Sequence, residues 1–192
     1  MHFIYLHGFG SSAASFKAQL VKQFVEQHPQ HSLFLVDLPF SPQAAMSLVE
    51  AHIETLPSGN WAVIGSSLGG FYSTYLAEKY LKKGVLINPA VKAHELLAAR
   101  LGNNENYHTG QVFEFTEHHL QQLKAMYLPQ LAQPENFLLL TQTGDEVLDY
   151  RQGVDYYQRS EQMVIEGGNH GFDDYEDYLA VTFNFLIGQI DD

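Results

Sequence analysis

The sequence predicts an α/β fold: a mostly parallel sheet of about six strands with helices on both faces. Three observations carry that expectation. Six short apolar runs, rich in β-branched and aromatic residues and bounded by turn residues, recur along the chain. Stretches with helical spacing separate them. The runs are continuous rather than alternating in polarity, the pattern of strands buried on both faces.

In order, HFIYLHG (2–8) leads into helical spacing over about 12–28. SLFLVDL (32–38) is the second run, and the helix after it, about 42–56, has a start signal in Ser41 as N-cap with Pro42 at the first helical position. WAVIG (61–65) precedes a helix over about 69–82, and KGVLINP (83–89) precedes one over about 92–101. A longer interval follows, with the polar, glycine-bearing LGNNENYHTGQ (101–111) and a helix over about 116–127. NFLLLTQTG (136–144), a helix over about 150–158, QMVIEGG (162–168) and a helix over about 174–188 complete the order. Asp173 and Glu176 have capping-box spacing where the last helix begins. In a sheet of this kind, sites form at the carboxyl ends of the strands.

The 192 residues suit one domain, 1–192, able to bury a sizeable core, with 45% hydrophobic and 17% charged residues. No repeat, low-complexity tract or linker divides the chain, so the interval of about 90–135 is expected to be an excursion from that domain. Within it, 104–110 is either a small lid bordering the pocket or a plain surface loop. A net charge of −12 repels polyphosphates and anionic membranes, so nucleic acid and membrane surfaces are not expected partners. No cysteine means no thiolate nucleophile and no Cys-based metal site. The N-terminus MHFIYLHGFG has no charged n-region of a secretion signal, and no run approaches the roughly 20 apolar residues of a membrane span, so a cytoplasmic protein is expected.

Between the third strand and its helix stands Gly65-Ser66-Ser67-Leu68-Gly69, a G-x-S-x-G in the strand–turn–helix context of a nucleophile elbow. The turn is so sharp that only very small residues fit two positions before and after the nucleophile, and Gly65 and Gly69 meet that demand. Ser67 is the candidate nucleophile, and the Leu68 N–H after it a candidate oxyanion donor. A glycine-rich turn or phosphate-cradling loop is the bland reading of the same five residues.

A serine hydroxyl needs a base to take its proton and a third group to orient that base. TQTGDEVLDY sets Asp145 just past the fifth strand, and EGGNHGF sets His170 past the sixth, giving the chain order Ser67, Asp145, His170. Singly, Asp145 could serve a turn and His170 could cap or pack beside the last helix. Asp149 has capping-box spacing with Gln152, which gives its carboxylate a structural task. A second oxyanion donor is expected from the loop after the first strand, LHGFGSS, at the N–H of Phe9. The other nine histidines, His118 and His119 among them, lack a metal-ligand pattern, so no metal site is expected.

YLHGFGSS, GSSLGG, INPAV, NENYHTGQ, QTGDEVLDYR and EGGNHGF together resemble the small bacterial α/β-hydrolase esterases of the YqiA type, over nearly the whole chain. The resemblance implies a compact α/β-hydrolase fold without the first strands of larger members and a serine esterase that uses no metal; two-step acyl transfer through a serine needs no cofactor, and a small-molecule ester is the expected substrate, with a thioester left open. The resemblance implies Ser67 as nucleophile, Asp145 as acid and His170 as base, with Ser66 in a packing or hydrogen-bonding role. A non-catalytic small-molecule binding protein on the same fold is the alternative.

Overall fold

The computed structural model of the chain describes residues 1–57 and 59–188. Six strands form one sheet in the order β2-β1-β3-β4-β7-β8, every neighbouring pair parallel. They are β1 (His2–Leu6), β2 (Ser32–Phe34), β3 (Trp61–Ser66), β4 (Gly84–Ile87), β7 (Phe137–Gln142) and β8 (Glu161–Ile165). The helices are α1 (Phe16–Glu26), α2 (Pro42–Ile53), α3 (Leu68–Tyr80), α4 (Ala93–Leu96), α5 (Glu117–Met126), α6 (Tyr150–Tyr156) and α7 (Leu179–Ile187).

The continuous apolar runs are explained by the two layers they serve. β3, β4 and β7 are buried at every position. Successive residues point to opposite faces, so Ile4, Leu6, Val63, Leu86 and Leu139 join one core with Val49 of α2, Phe71 of α3 and Leu123 of α5. Phe3, Tyr5, Ile64, Val85 and Leu138 join the other with Val21 of α1 and Phe183 of α7. Truncating one of these, such as Leu139 to Ala, costs about 2–5 kcal/mol.

α2 starts where the sequence indicates: the Ser41 side chain accepts from the Ala44 N–H, and Pro42 is its first residue. Several boundaries differ from the sequence expectation. β2 stops at Phe34, because the segment beyond it turns to serve the loop after β1: Asp37 Oδ1 accepts from Ala13 N–H and Leu38 N–H donates to His7 Nε2. The last helical stretch opens as a 3-10 turn, Tyr175–Tyr178, before α7. No capping box forms at Asp173, whose carboxylate instead accepts from Asn169 Nδ2 at 2.8 Å.

The excursion contains an antiparallel hairpin absent from the sequence reading, β5 (Gly102–Glu105) paired with β6 (Val112–Phe115). In β6, Phe113 and Phe115 face inward while Val112 and Glu114 face out. The 92–101 stretch is α4 followed by a 3-10 turn, Leu97–Arg100.

Register aligns the strand ends that matter. Leu6 of β1 pairs with Gly65 of β3, and Ser66 pairs with Ile87 of β4. The chain leaves β1 toward β2 and returns to β3 on the other side, so the loops after β1 and β3 diverge at the topological switch point, where a crevice opens.

Candidate active site

Ser67 sits at that crevice with φ 56° and ψ −119°, a conformation that costs a non-glycine residue about 1–3 kcal/mol. The surroundings over-determine it. Its N–H donates to Ile87 O at 3.0 Å, and its carbonyl accepts from Gly70 N–H at 2.9 Å and Ala90 N–H at 3.0 Å. The glycines beside it are obligatory: a Cβ on Gly65 would lie 2.1 Å from Gly69 O, and one on Gly69 would lie 1.8 Å from Leu6 O. Ser66 is buried at the end of β3.

His170 and Asp145 come to Ser67 from the loops after β8 and β7. His170 Nε2 lies 3.1 Å from Ser67 Oγ, and His170 Nδ1 lies 2.8 Å from Asp145 Oδ2. With its proton on Nδ1, donated to Asp145, the imidazole presents an Nε2 lone pair to the serine hydroxyl. The Asp145 side chain is 1% exposed and that of His170 22%. Burial pushes the Asp145 carboxyl up, but the hydrogen bond from His170, the N–H of Leu148, the charge of His170 and the N–H of Val147 together hold it below its ordinary value. Its Oδ1 accepts from Val147 N–H at 2.9 Å and Leu148 N–H at 2.8 Å, so one carboxylate oxygen holds the turn after β7 while the other faces His170. Asp149 lies apart, as N-cap of α6, accepting from Arg151 N–H.

Three further residues act on the His170 loop, none singled out by the sequence. Glu146 Oε2 accepts from the His170 backbone N–H at 2.9 Å, the main reason its carboxyl lies below the usual range. Asn88, 1% exposed with φ 41°, donates from Nδ2 to the carbonyls of Asn169 at 3.0 Å and His170 at 3.3 Å, while its Oδ1 accepts from Gln142 N–H at 3.0 Å. Lys17 Nζ donates to Gly171 O; burial lowers its pKa to about 8 against the opposing pull of Asp173 and Asp145. The signals for these residues were weak in the sequence, apart from the position of Asn88 at a strand's carboxyl end.

Phe9 and Leu68 line the same space as Ser67 and His170. Among the described residues, neither backbone N–H has an acceptor, leaving both available to an anionic oxygen. A cavity of about 440 Å³ opens over Ser67 and His170, walled by Leu96, Leu97, Val147 and Leu148, with Arg100 and Tyr107 also in its lining. A second, of about 300 Å³, lies across Phe9 and Leu68; Leu38, Phe40, Tyr72 and Phe113 line it together with the polar Asp37, Asn106 and Gln111. Among the described residues no three His, Asp or Glu side chains gather as a metal-ligand cluster. His119 has a structural partner, with Nδ1 accepting from Thr116 N–H at the start of α5. No helix among the described residues is long and apolar enough to cross a membrane.

Solved structures with the same fold cover nearly all of the chain. Alpha/beta hydrolase domain-containing protein 10 from mouse superposes with a TM-score of 0.71 at 17% identity, over 97% of this chain and 89% of that one. Est1E from Butyrivibrio proteoclasticus, in a structure with ferulic acid bound, gives 0.69 at 13% identity over 96% and 86%. An esterase of Pyrococcus furiosus gives 0.66 at 15% identity over 96% and 81%. At these identities the likeness is one of fold, the α/β-hydrolase fold. The model of a family described as an uncharacterised protein family (UPF0227) matches residues 2–187. The chain therefore belongs to that family, the YqiA-type α/β hydrolases.

Proposed function

We propose that the protein is a serine esterase that hydrolyses carboxylic esters, thioesters included, through an acyl-enzyme on Ser67. The observation that carries this reading is the unbroken chain of contacts from Ser67 Oγ to His170 Nε2 at 3.1 Å and from His170 Nδ1 to Asp145 Oδ2 at 2.8 Å. That chain is what a hydroxyl needs to become a nucleophile at neutral pH.

In the first half-reaction Ser67 Oγ attacks the ester carbonyl as its proton passes to His170 Nε2, and the carbonyl π electrons move to oxygen. The N–H groups of Phe9 and Leu68 stabilise that oxyanion, a contribution of roughly 10²–10³ in turnover per donor. Collapse of the intermediate breaks the bond to the alcohol or thiol, which takes the proton from His170. Water then repeats the sequence against the acyl-enzyme, giving the acid and free Ser67. Asp145 keeps the imidazole in the useful tautomer and stabilises its charged form.

The leaving group is protonated by His170, so it occupies the cavity of about 440 Å³ that His170 lines. The acyl group extends past Phe9 and Leu68 toward the cavity of about 300 Å³. The test is hydrolysis of p-nitrophenyl esters and acyl thioesters of graded chain length by wild type and Ser67→Ala. Loss of at least about 10⁴ in kcat in the variant supports the reading. Equal turnover by the two proteins overturns it.

A further inference from the structure

An oxyanion donor contributes fully only if it is fixed before the reaction begins. Phe9 stands in a loop with few bonds of its own around it. Gly8 and Gly10 flank it, Gly10 has φ 63°, and the backbone hydrogen bond that spans it is the long one from Ser11 N–H to Gly8 O at 3.3 Å. His7 Nδ1 bonds Gly8 O at 2.9 Å, and Leu38 and Asp37 hold the loop's two ends at His7 and Ala13, but the restraints on Gly10 and Ser11 beyond Phe9 come from the β5–β6 hairpin, nearly a hundred residues away in the chain.

Three ties connect the hairpin to this loop. Tyr107 N–H donates to Gly10 O at 2.7 Å. Asn106 Nδ2 donates to Ser11 O, also at 2.7 Å. The Phe9 ring packs edge-on against Phe113 and Phe115 of β6, with centroids 5.4 and 5.2 Å away. The docking leaves no spare room: a Cβ on Gly10 would lie 3.0 Å from the Tyr107 ring and 3.2 Å from Glu105 O. Asn106 also makes its own turn, since its Oδ1 accepts from His108 N–H at 2.9 Å and Thr109 N–H at 3.0 Å. It thus links the geometry of the hairpin tip to the backbone of the oxyanion loop.

We propose that the hairpin is a fixed brace for the oxyanion loop and that Asn106 is a positioning residue, acting through Ser11 and Gly10 on the Phe9 N–H. The catalytic part of this rests on the esterase reading. A lid would have to swing away to admit substrate, and here that motion would release Gly10, Ser11 and the Phe9 ring together. The hairpin stays docked through turnover.

Asn106→Asp separates this role from a local one. Aspartate keeps the acceptor for His108 and Thr109, so the turn survives, but it lacks the N–H that bonds Ser11 O. With p-nitrophenyl acetate, butyrate and hexanoate, kcat is expected to fall by about 10–10² in the variant, by the same factor for each ester, with KM within about twofold. Affinity for an alkyl trifluoromethyl ketone, which forms an oxyanion on Ser67, is expected to fall by a similar factor. Wild-type kcat, or a loss that depends on chain length, overturns the brace. Amide hydrogen exchange over residues 8–11 gives a readout independent of activity: faster exchange in Asn106→Asp than in wild type is expected, and unchanged exchange overturns the brace even if the enzyme is active. A wild type that hydrolyses none of the esters overturns the esterase reading and, with it, the catalytic role given to Asn106.

Discussion

Replacing Asp145 with Asn changes one oxygen to an amide nitrogen in a side chain that is 1% exposed, so shape and packing are kept. The consequences on the two sides of the carboxylate differ. The remaining amide oxygen still accepts from Val147 and Leu148 N–H, and the turn after β7 persists. The new NH₂ faces His170 Nδ1, where a donor would meet a donor. The imidazole avoids this by moving its proton to Nε2, which then cannot take the proton of Ser67, 3.1 Å away. The loss of the correct tautomer in a serine triad costs about 10⁴ in kcat, or roughly 5.5 kcal/mol at about 1.36 kcal/mol per tenfold. The assay is turnover of a p-nitrophenyl ester beside the melting temperature. Asp149→Ala is the control, since it removes the N-cap of α6 and is expected to cost about 0.5–2 kcal/mol of stability with near-normal turnover. Asp145→Asn should also flatten the acid limb of stability. A carboxyl held below its ordinary 3.8 contributes stability that is present above that value and lost as pH falls through the lower folded pKa. An active Asp145→Asn beside a folded, inactive Asp149→Ala would refute the assignment of the acid.

Two other perturbations probe the site's surroundings. Ser66→Ala removes a buried hydroxyl from the end of β3 without touching the proton path, and kcat is expected within about tenfold of wild type, in contrast to Ser67→Ala. Lys17 has its pKa lowered by burial from 10.5 to about 8, so between those values the unfolded chain binds more protons than the fold and this group's contribution to stability rises with pH. Lys17→Met, followed by urea midpoints from pH 8 to 10.5, is expected to lose that rise relative to wild type.

The alternation of strands and helices was legible because β3, β4 and β7 are buried on both faces, which leaves continuous apolar runs. The β5–β6 hairpin was not. Gly102–Glu105 has no β-branched or aromatic residue, and its strand character comes from pairing with Val112–Phe115. The end of β2 was overrun for a similar reason: Leu35 to Leu38 are apolar enough for a strand, but tertiary bonds from Asp37 and Leu38 draw the segment toward the loop after β1. In the candidate site, Ser67, Asp145 and His170 could be named because a motif and two strand ends mark them, and the fold brings them within hydrogen-bonding distance. Asn88 and Glu146 also stand just past strand ends, but nothing local shows what they bond. The side-chain partners of Asn88 lie 53 to 82 residues away, and Glu146 meets the His170 N–H only once β7 and β8 are side by side.

On the proposed mechanism, Ser67 is the group acylated by substrate. The most direct test is reaction of the folded protein with a fluorophosphonate, followed by intact mass and peptide mapping. One adduct per chain is expected, on Ser67, formed rapidly by wild type, slowly by Asp145→Asn and not at all by Ser67→Ala. An unmodified wild-type protein, or an adduct mapped to Ser66 or any other residue, would contradict it.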